Sequence, residues 1–384
     1  MSFRGYQRPD GSVGTRNYVA VIPTVVCATA TARQISSNVK GSVPFLHQQG
    51  CALAPYDLDL VNRTLLNLAL NPNIYSVILI SLGCDPVDID GIAEGIAKAD
   101  KPVEKLVIQE VGGTLATVEK GTRIARKMVG DATRIVREEF DDCKLMFGAE
   151  CGGSDTTSGL GANPAIGAAF DILVRNGGDA VFSETTEFIG AEHLLAQRAV
   201  TPEVGNTITS MVRRYEERFL EKGVDMRGAN PTKGNIQGGL TTIEEKSLGA
   251  VSKGGSETIQ EMYEYGERPT KRGLTIVDGP GFDAPSLTAM AAAGATVMFF
   301  STGRGTPLGS PFVPVIKVTA NASTFERMND NIDFYVDLTR KDSIKEIGES
   351  LYSHALEVAS GMQTKSEILN QNIDNGIFIL GPLA

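Results

Sequence analysis

Four cysteines, one histidine and several acids stand where a reaction centre could be built. Cys27 ends a predicted strand over 18–26. Cys84 lies in Ser-Leu-Gly-Cys-Asp after a second, over 76–82. Cys151 opens Glu150-Cys-Gly-Gly-Ser-Asp-Thr-Thr-Ser-Gly-Leu-Gly-Ala-Asn-Pro164 after a third, over 145–147, and Cys51 closes Phe45-Leu-His-Gln-Gln-Gly-Cys. Loops at the carboxyl ends of parallel strands are where α/β proteins take ligands. Thiolates with a histidine suit iron, zinc or an iron–sulfur cluster, whereas carboxylates and hydroxyls suit magnesium, manganese or calcium. No Cys-x-x-Cys spacing is present, and each cysteine taken singly also reads as a small buried residue. His47 is a general acid or base, a metal ligand, or a plain loop histidine. His193 and His354 fall in helical patterns and read as structural.

The 150–164 loop has glycines that allow close backbone approach, and Cys151, Ser154, Asp155 and Ser158 offer a thiol, hydroxyls and a carboxylate. Its plainer reading is a strand-to-helix turn capped by Ser154 or Asp155. In Ser183-Glu-Thr-Thr-Glu187 the acids Glu184 and Glu187 could complete a metal site with Asp155, act as a base, or complement a helix dipole. Ser301-Thr-Gly-Arg-Gly-Thr-Pro-Leu-Gly309 brings turn amides and Arg304 to another strand end, suited to a carboxylate. Neither a Gly-x-x-x-x-Gly-Lys-Ser/Thr loop nor a Gly-x-Gly-x-x-Gly fingerprint with its downstream acid is present, so the sheets carry no nucleotide signature.

These residues need strands to hold them. Short apolar runs over 18–26, 76–82, 105–109, 145–147, 179–182, 273–277, 296–300 and 313–319 alternate with amphipathic helical patterns over 28–38, 57–70, 89–99, 114–129, 204–222, 284–293 and 343–358. That alternation predicts an α/β fold with mostly parallel sheets flanked by helices. A length of 384 residues suits two or three domains at roughly 100–200 residues each, and two is the reading adopted. The acidic run around 140–144 is the join, giving domains 1–141 and 142–384. The irregular stretch from Gly223 to about Lys271 is too long for a plain connector and reads as functional or disordered.

A net charge of -10 is the wrong sign for general attraction to nucleic acid or anionic lipid. No apolar run is long enough to span a membrane, and the polar start lacks a signal-peptide core, so a cytoplasmic location is expected.

In their order along the chain, the motifs resemble the altronate/galactarate dehydratase family of sugar-acid hydro-lyases. The resemblance rests on Gly5-Tyr-Gln-Arg-Pro-Asp-Gly-Ser-Val-Gly-Thr-Arg-Asn17, His47 to Cys51, Ser81-Leu-Gly-Cys84 and Glu150-Cys-Gly-Gly-Ser-Asp155 through Pro164. It continues in Gly234-Asn-Ile-Gln-Gly-Gly-Leu-Thr-Thr242, Glu245-Lys-Ser-Leu-Gly-Ala-Val251 and Thr302-Gly-Arg-Gly305. It implies a first α/β domain that mediates dimerisation or higher assembly, and a Rossmann-like second domain holding a divalent metal, with Fe2+ needed for activity. It also implies loss of water from a sugar-acid substrate, an aldarate or aldonate, to give a 2-keto-3-deoxy acid. Relatives carry a small β-clip domain ahead of the Gly-Tyr motif, which here begins at Gly5, so a separate small β-clip subunit is expected. The family's loop after Cys51 usually continues with glycine, where this chain has Ala52. Members acting on sulfolactate, releasing sulfite, are the alternative, as is a noncatalytic binding subunit.

On this reading a metal held by some of Cys27, Cys51, Cys84 and Cys151 binds substrate oxygens while His47 transfers a proton. Asp155 and Glu184 are reserve bases or ligands, and Ser154, Lys233, Asn235 and Arg304 contact the substrate.

Overall fold

The structure, a computed structural model, describes residues 1–371 and 375–381. It is an α/β body with three sheets. Strands β1 (Ser2–Gln7), β2 (Val13–Gly14) and β7 (Glu138–Asp141) form an antiparallel sheet in the order β2-β1-β7. Strands β3 (Tyr18–Pro23), β4 (Ser42–Pro44), β5 (Ile74–Ser81) and β6 (Val103–Val107) form a parallel sheet in the order β4-β3-β5-β6. The large sheet holds β8 (Met146–Cys151), β9 (Asp179–Phe182), β10 (Ile259–Tyr263), β11 (Leu274–Val277), β12 (Val297–Ser301), β13 (Val315–Thr319) and β14 (Phe334–Tyr335). All seven are parallel, in the order β10-β11-β9-β8-β12-β13-β14.

β9, β11, β12 and β13 are buried at every position, which is why they read as continuous apolar runs rather than alternating ones. Counted from β8, the large sheet has the doubly wound order 3-2-1-4-5-6, with β10 added outside. Chain direction across the sheet therefore switches between β8 and β12, where such folds leave a crevice at the carboxyl ends.

One apolar core joins the two halves. The helix Asp283–Ala293 is buried from Pro285 through Ala293; a helix that is apolar all round must be covered on both sides. It packs against β8 and against the helix Pro55–Ala69, so Leu60 and Leu65 share a core with Leu287 and Met290. The N-terminal motif does structural work. Arg8 donates to the carbonyls of Pro72 and Arg16, and Arg16 pairs with the buried Glu367 at 2.7 Å.

Two stretches differ from the reading above. The acidic run taken as an irregular join begins in β7, whose partner β1 lies at the far end of the first half; a pairing so distant in sequence leaves no local signature. The stretch 223–271 contains the helix Ile243–Val251, the edge strand β10 and a short helix, Lys233–Gln237, closed by a capping box from Thr232 and Asn235.

Candidate functional site

Chemistry gathers at the carboxyl ends of β8 and β9. Successive strand residues face opposite ways, so β8 ends by sending Glu150 to one side and Cys151 to the other. Glu150 accepts from Ser286 Oγ of the apolar helix, and its Oε1 has no partner among the described residues. Burial first, then the nearby Glu184 and Asp283, hold its carboxyl well above the usual range. Cys151 Sγ lies 2.8 Å from Ser154 Oγ, and Asn163 donates to it at 3.5 Å. Burial pushes this thiol up as well.

Glu184 follows β9 with φ +76°, a left-handed conformation that costs a non-glycine residue and persists only when its surroundings hold it. Its Oε2 accepts from Cys151 N at 2.9 Å and from Lys253 Nζ. Lys253, 0% exposed, comes from the turn after helix Ile243–Val251. Burial alone would lower the Lys253 pKa, but Glu184, Cys151 and Glu150 outweigh it, so the amine stays an ammonium. Burial also raises Glu184, to about 7 despite that partner.

Three cavities lie around this charged floor. One of about 470 Å³ is lined by Thr186, Glu187, Lys246, Phe282 and the segment 378–380. A second, of about 290 Å³, is lined by Cys151, Ser154, Asp155, Asn163 and again Lys246. A third, of about 480 Å³, is lined by Asp155, Arg304, Asn321 and Arg327, at the β8–β12 switch. Lys246 Nζ bonds Glu187 Oε1 at 2.9 Å and Asn230 Oδ1 at 3.0 Å, while buried Glu187 Oε2 is unpartnered among the described residues. Lys246 lines the first two and Asp155 the last two, so the three cavities form a row, with an acid–amine pair near one end and two guanidinium groups at the other.

Of the residues singled out from sequence, Cys151, Ser154, Asp155, Glu184, Asn235 and Arg304 share this end of the large sheet. Asn235 Nδ2 donates to Ser154 O at 2.9 Å, and Arg304 donates to Gly234 O at 2.9 Å. Lys233 is exposed on the same capping turn. Asp155 is fully engaged: Oδ1 accepts from Thr157 Oγ1 and Ser158 N, and Oδ2 from Asn321 Nδ2 at 2.8 Å. Cys27, Cys51, Cys84 and His47 lie instead on loops beyond the small sheet, the three cysteines exposed. The four cysteines are thus split between two sheets. Among the described residues no three His, Cys, Asp or Glu side chains are arranged to hold one metal ion. The important residues that sequence reasoning left unassigned are Glu150, Lys246 and Lys253. Lys246 stood inside a quoted motif, whereas a lysine in Val251-Ser-Lys-Gly-Gly gives no sign of being buried.

His47 is a buried ring with both nitrogens engaged. Nε2 lies 2.7 Å from Pro23 O, and Nδ1 accepts from Gln49 N. Desolvation lowers its pKa to about 4, so it is neutral in the fold across the physiological range. The unfolded chain takes up this proton near 6.5. The native state therefore loses stability as pH falls through 6.5 toward 4. Between pH 7 and pH 5 this histidine is expected to contribute a loss of about 2 kcal/mol. Urea denaturation of the wild type and His47→Gln at both pH values measures it; parallel pH trends would count against the assignment.

Ala52 has φ +54°, a left-handed conformation that glycine adopts without a Cβ penalty. Ala52→Gly is expected to be neutral or stabilising by up to about 1 kcal/mol, because the left-handed penalty disappears. Thermal melts check this, and a clear destabilisation would contradict it.

Comparison with known proteins gives concordant matches. A family model for the C-terminal part of D-galactarate/altronate dehydratases matches residues 143–379, and one for the second domain of D-galactarate dehydratase/altronate hydrolase matches residues 5–133. The chain is 39% identical to (2R)-sulfolactate sulfo-lyase subunit beta of Chromohalobacter salexigens, covering 96% of this chain and 95% of that one. It is 37% identical to galactarate dehydratase (L-threo-forming) of Escherichia coli, covering 94% and 73%. It is 32% identical to altronate dehydratase of Bacillus subtilis, covering 95% and 75%.

Proposed function

The chain belongs to the D-galactarate/altronate dehydratase family of carbon–oxygen lyases, and from that premise we propose that it dehydrates a sugar acid, an aldonate or aldarate, to a 2-keto-3-deoxy acid. The observation that carries the reading is the row of adjoining cavities, cationic at one end and bearing the Glu187–Lys246 pair near the other. Arg304 and Arg327 suit the far carboxylate of an aldarate, the one away from the reacting carbon, since guanidinium groups bind carboxylates in a planar fork. Glu187, with one oxygen unpartnered, takes the proton from the carbon next to a carboxylate and returns it to the hydroxyl that leaves the adjoining carbon as water, and the resulting enol becomes the keto acid. Lys246 then faces the enediolate charge that develops, the kind of preorganised electrostatic support that lowers such barriers. The buried Glu150 and the Glu184–Lys253 pair set the field beneath. Asp155 orders the loop between two cavities.

A second reading, a sulfo-lyase acting on sulfolactate, is favoured by the near end-to-end match to the sulfo-lyase subunit. That relative is named as a subunit, which also supports a small partner, here proposed to be a β-clip protein. No helix among the described residues is long and apolar enough to cross a membrane.

The test is an anaerobic screen of aldonates, aldarates and (2R)-sulfolactate, with and without a co-expressed small subunit, reading 2-keto acid and sulfite separately. Keto acid without sulfite from a sugar acid is expected. Sulfite from sulfolactate would establish the second reading, and neither product with the partner present would overturn both. Full turnover by the lone chain would remove the partner.

A further inference from the structure

Three of the five cysteines lie beyond three adjacent strands of the small parallel sheet. Cys27 follows β3, Cys51 follows β4 and Cys84 follows β5, and the sheet order is β4-β3-β5. Neighbouring strands stand about 4.8 Å apart, so the three loops leave the same edge of the sheet side by side, and each carries one exposed thiol.

The carrying loops are tied together rather than splayed. Val26 N donates to Gln49 O at 2.9 Å, joining the Cys27 and Cys51 loops. Thr24 Oγ1 donates to Asp85 Oδ1 at 2.8 Å, joining the Cys27 and Cys84 loops. Gly50 packs so closely on Thr24 that a Cβ there would lie 2.3 Å from the Thr24 carbonyl oxygen. His47, through Pro23, fixes the same crossing.

A single tetrahedral ion draws its sulfur ligands to within about 4 Å of one another, and no three donors among the described residues meet in that way. A cubane cluster is wider, because each thiolate binds its own iron. We propose that Cys27, Cys51 and Cys84 ligate a [4Fe–4S] cluster, leaving its fourth iron free of protein thiolate and open to an oxygen ligand. Ligation takes a proton from each of three thiols and oxidises nothing in the protein.

Cys151 stays out of this set, buried beyond the large sheet against Ser154 and Asn163. Cys143 precedes β8, at the amino end of the large sheet. The cysteine edge also borders the proposed reaction site. Gln48 and Gln49 donate to Ile377 O, and the adjoining Phe378 and Ile379 line the 470 Å³ cavity. A hydroxy acid as the oxygen ligand rests on the lyase reading; the seating of the cluster does not.

The test is anaerobic reconstitution of the full chain with ferrous and ferric iron and sulfide, followed by metal and sulfide analysis, absorption spectra, and electron paramagnetic resonance after dithionite reduction. About four irons and four sulfides per chain are expected, with each of Cys27→Ser, Cys51→Ser and Cys84→Ser losing most of the cluster signal and Cys143→Ser keeping it. Should a serine variant fail to fold, maleimide labelling of the wild type decides. Loading should protect Cys27, Cys51 and Cys84, identified by mass spectrometry, whether or not any substrate turns over. A wild type that takes up no stoichiometric cluster, or a loaded chain whose three thiols label as in the unloaded one, would overturn the assignment.

Discussion

Replacing Glu187 with glutamine is expected to lower kcat by about 10²–10⁴-fold, the usual contribution of a general base. The amide has nearly the same volume, and its oxygen can still accept from Lys246 Nζ, now 2.9 Å from Glu187 Oε1. Packing is therefore largely retained while the ability to accept a substrate proton is lost. Circular dichroism of Glu187→Gln should stay near the wild type while the melting midpoint falls, because the buried Lys246 ammonium loses its charged partner and keeps only the amide oxygen and Asn230. KM should move little, since the carboxylate-binding arginines lie at the other end of the row. Steady-state kinetics on the sugar acid found by the screen measure both parameters. A kcat within tenfold of wild type, in a folded variant, would remove Glu187 as the base and leave it a partner for Lys246.

Much of the frame that places Glu187 was readable in the sequence, and the reason is physical. β9 was expected over 179–182 and is found at Asp179–Phe182, because a strand covered on both faces is apolar throughout and ends abruptly at Ser183-Glu. Helices such as Thr114–Ala132 and Pro202–Glu221 announce themselves by one buried stripe. β7 and β14 do not: β7 pairs with a strand distant in the chain, β14 is only two residues long, and the residues of both are exposed or half-buried. The site was legible only in part for a related reason. Polar residues in a glycine-rich strand-end loop mark a crevice, and Ser154, Asp155, Glu184 and Arg304 do lie there. Which of them faces a cavity depends on bonds the sequence cannot display, such as those that fully engage Asp155. The cysteines make the same point. Strand-end position was readable for Cys27, Cys84 and Cys151, but membership of two different sheets was not.

Lys253 is where the hidden part of the site should be felt most in stability. Lys253→Met is expected to destabilise the fold by about 3–5 kcal/mol, the cost of leaving a buried charge without its partner. Glu184, 1% exposed, would then lie beside Glu150 with only Cys151 N as a donor. The loss should depend on pH in a definite direction. Glu184 already has a native pKa raised to about 7, against about 4.5 in the unfolded chain, so the native state holds the proton over that interval and stability falls as pH rises through it. Removing the ammonium raises the native value further, which enlarges the deficit at pH 8 and shrinks it at pH 5, where the carboxyl is protonated in the fold. Pairing Lys253→Met with Glu184→Gln removes both charges and should recover much of the loss, since an apolar or neutral replacement of a whole buried pair is often tolerated. Chemical denaturation of the single and double variants at both pH values separates charge from packing. An equal deficit at pH 5 and pH 8, with no recovery in the double variant, would mean that Lys253 acts through its methylenes, and that the charged floor beneath Cys151 does not behave as a coupled pair.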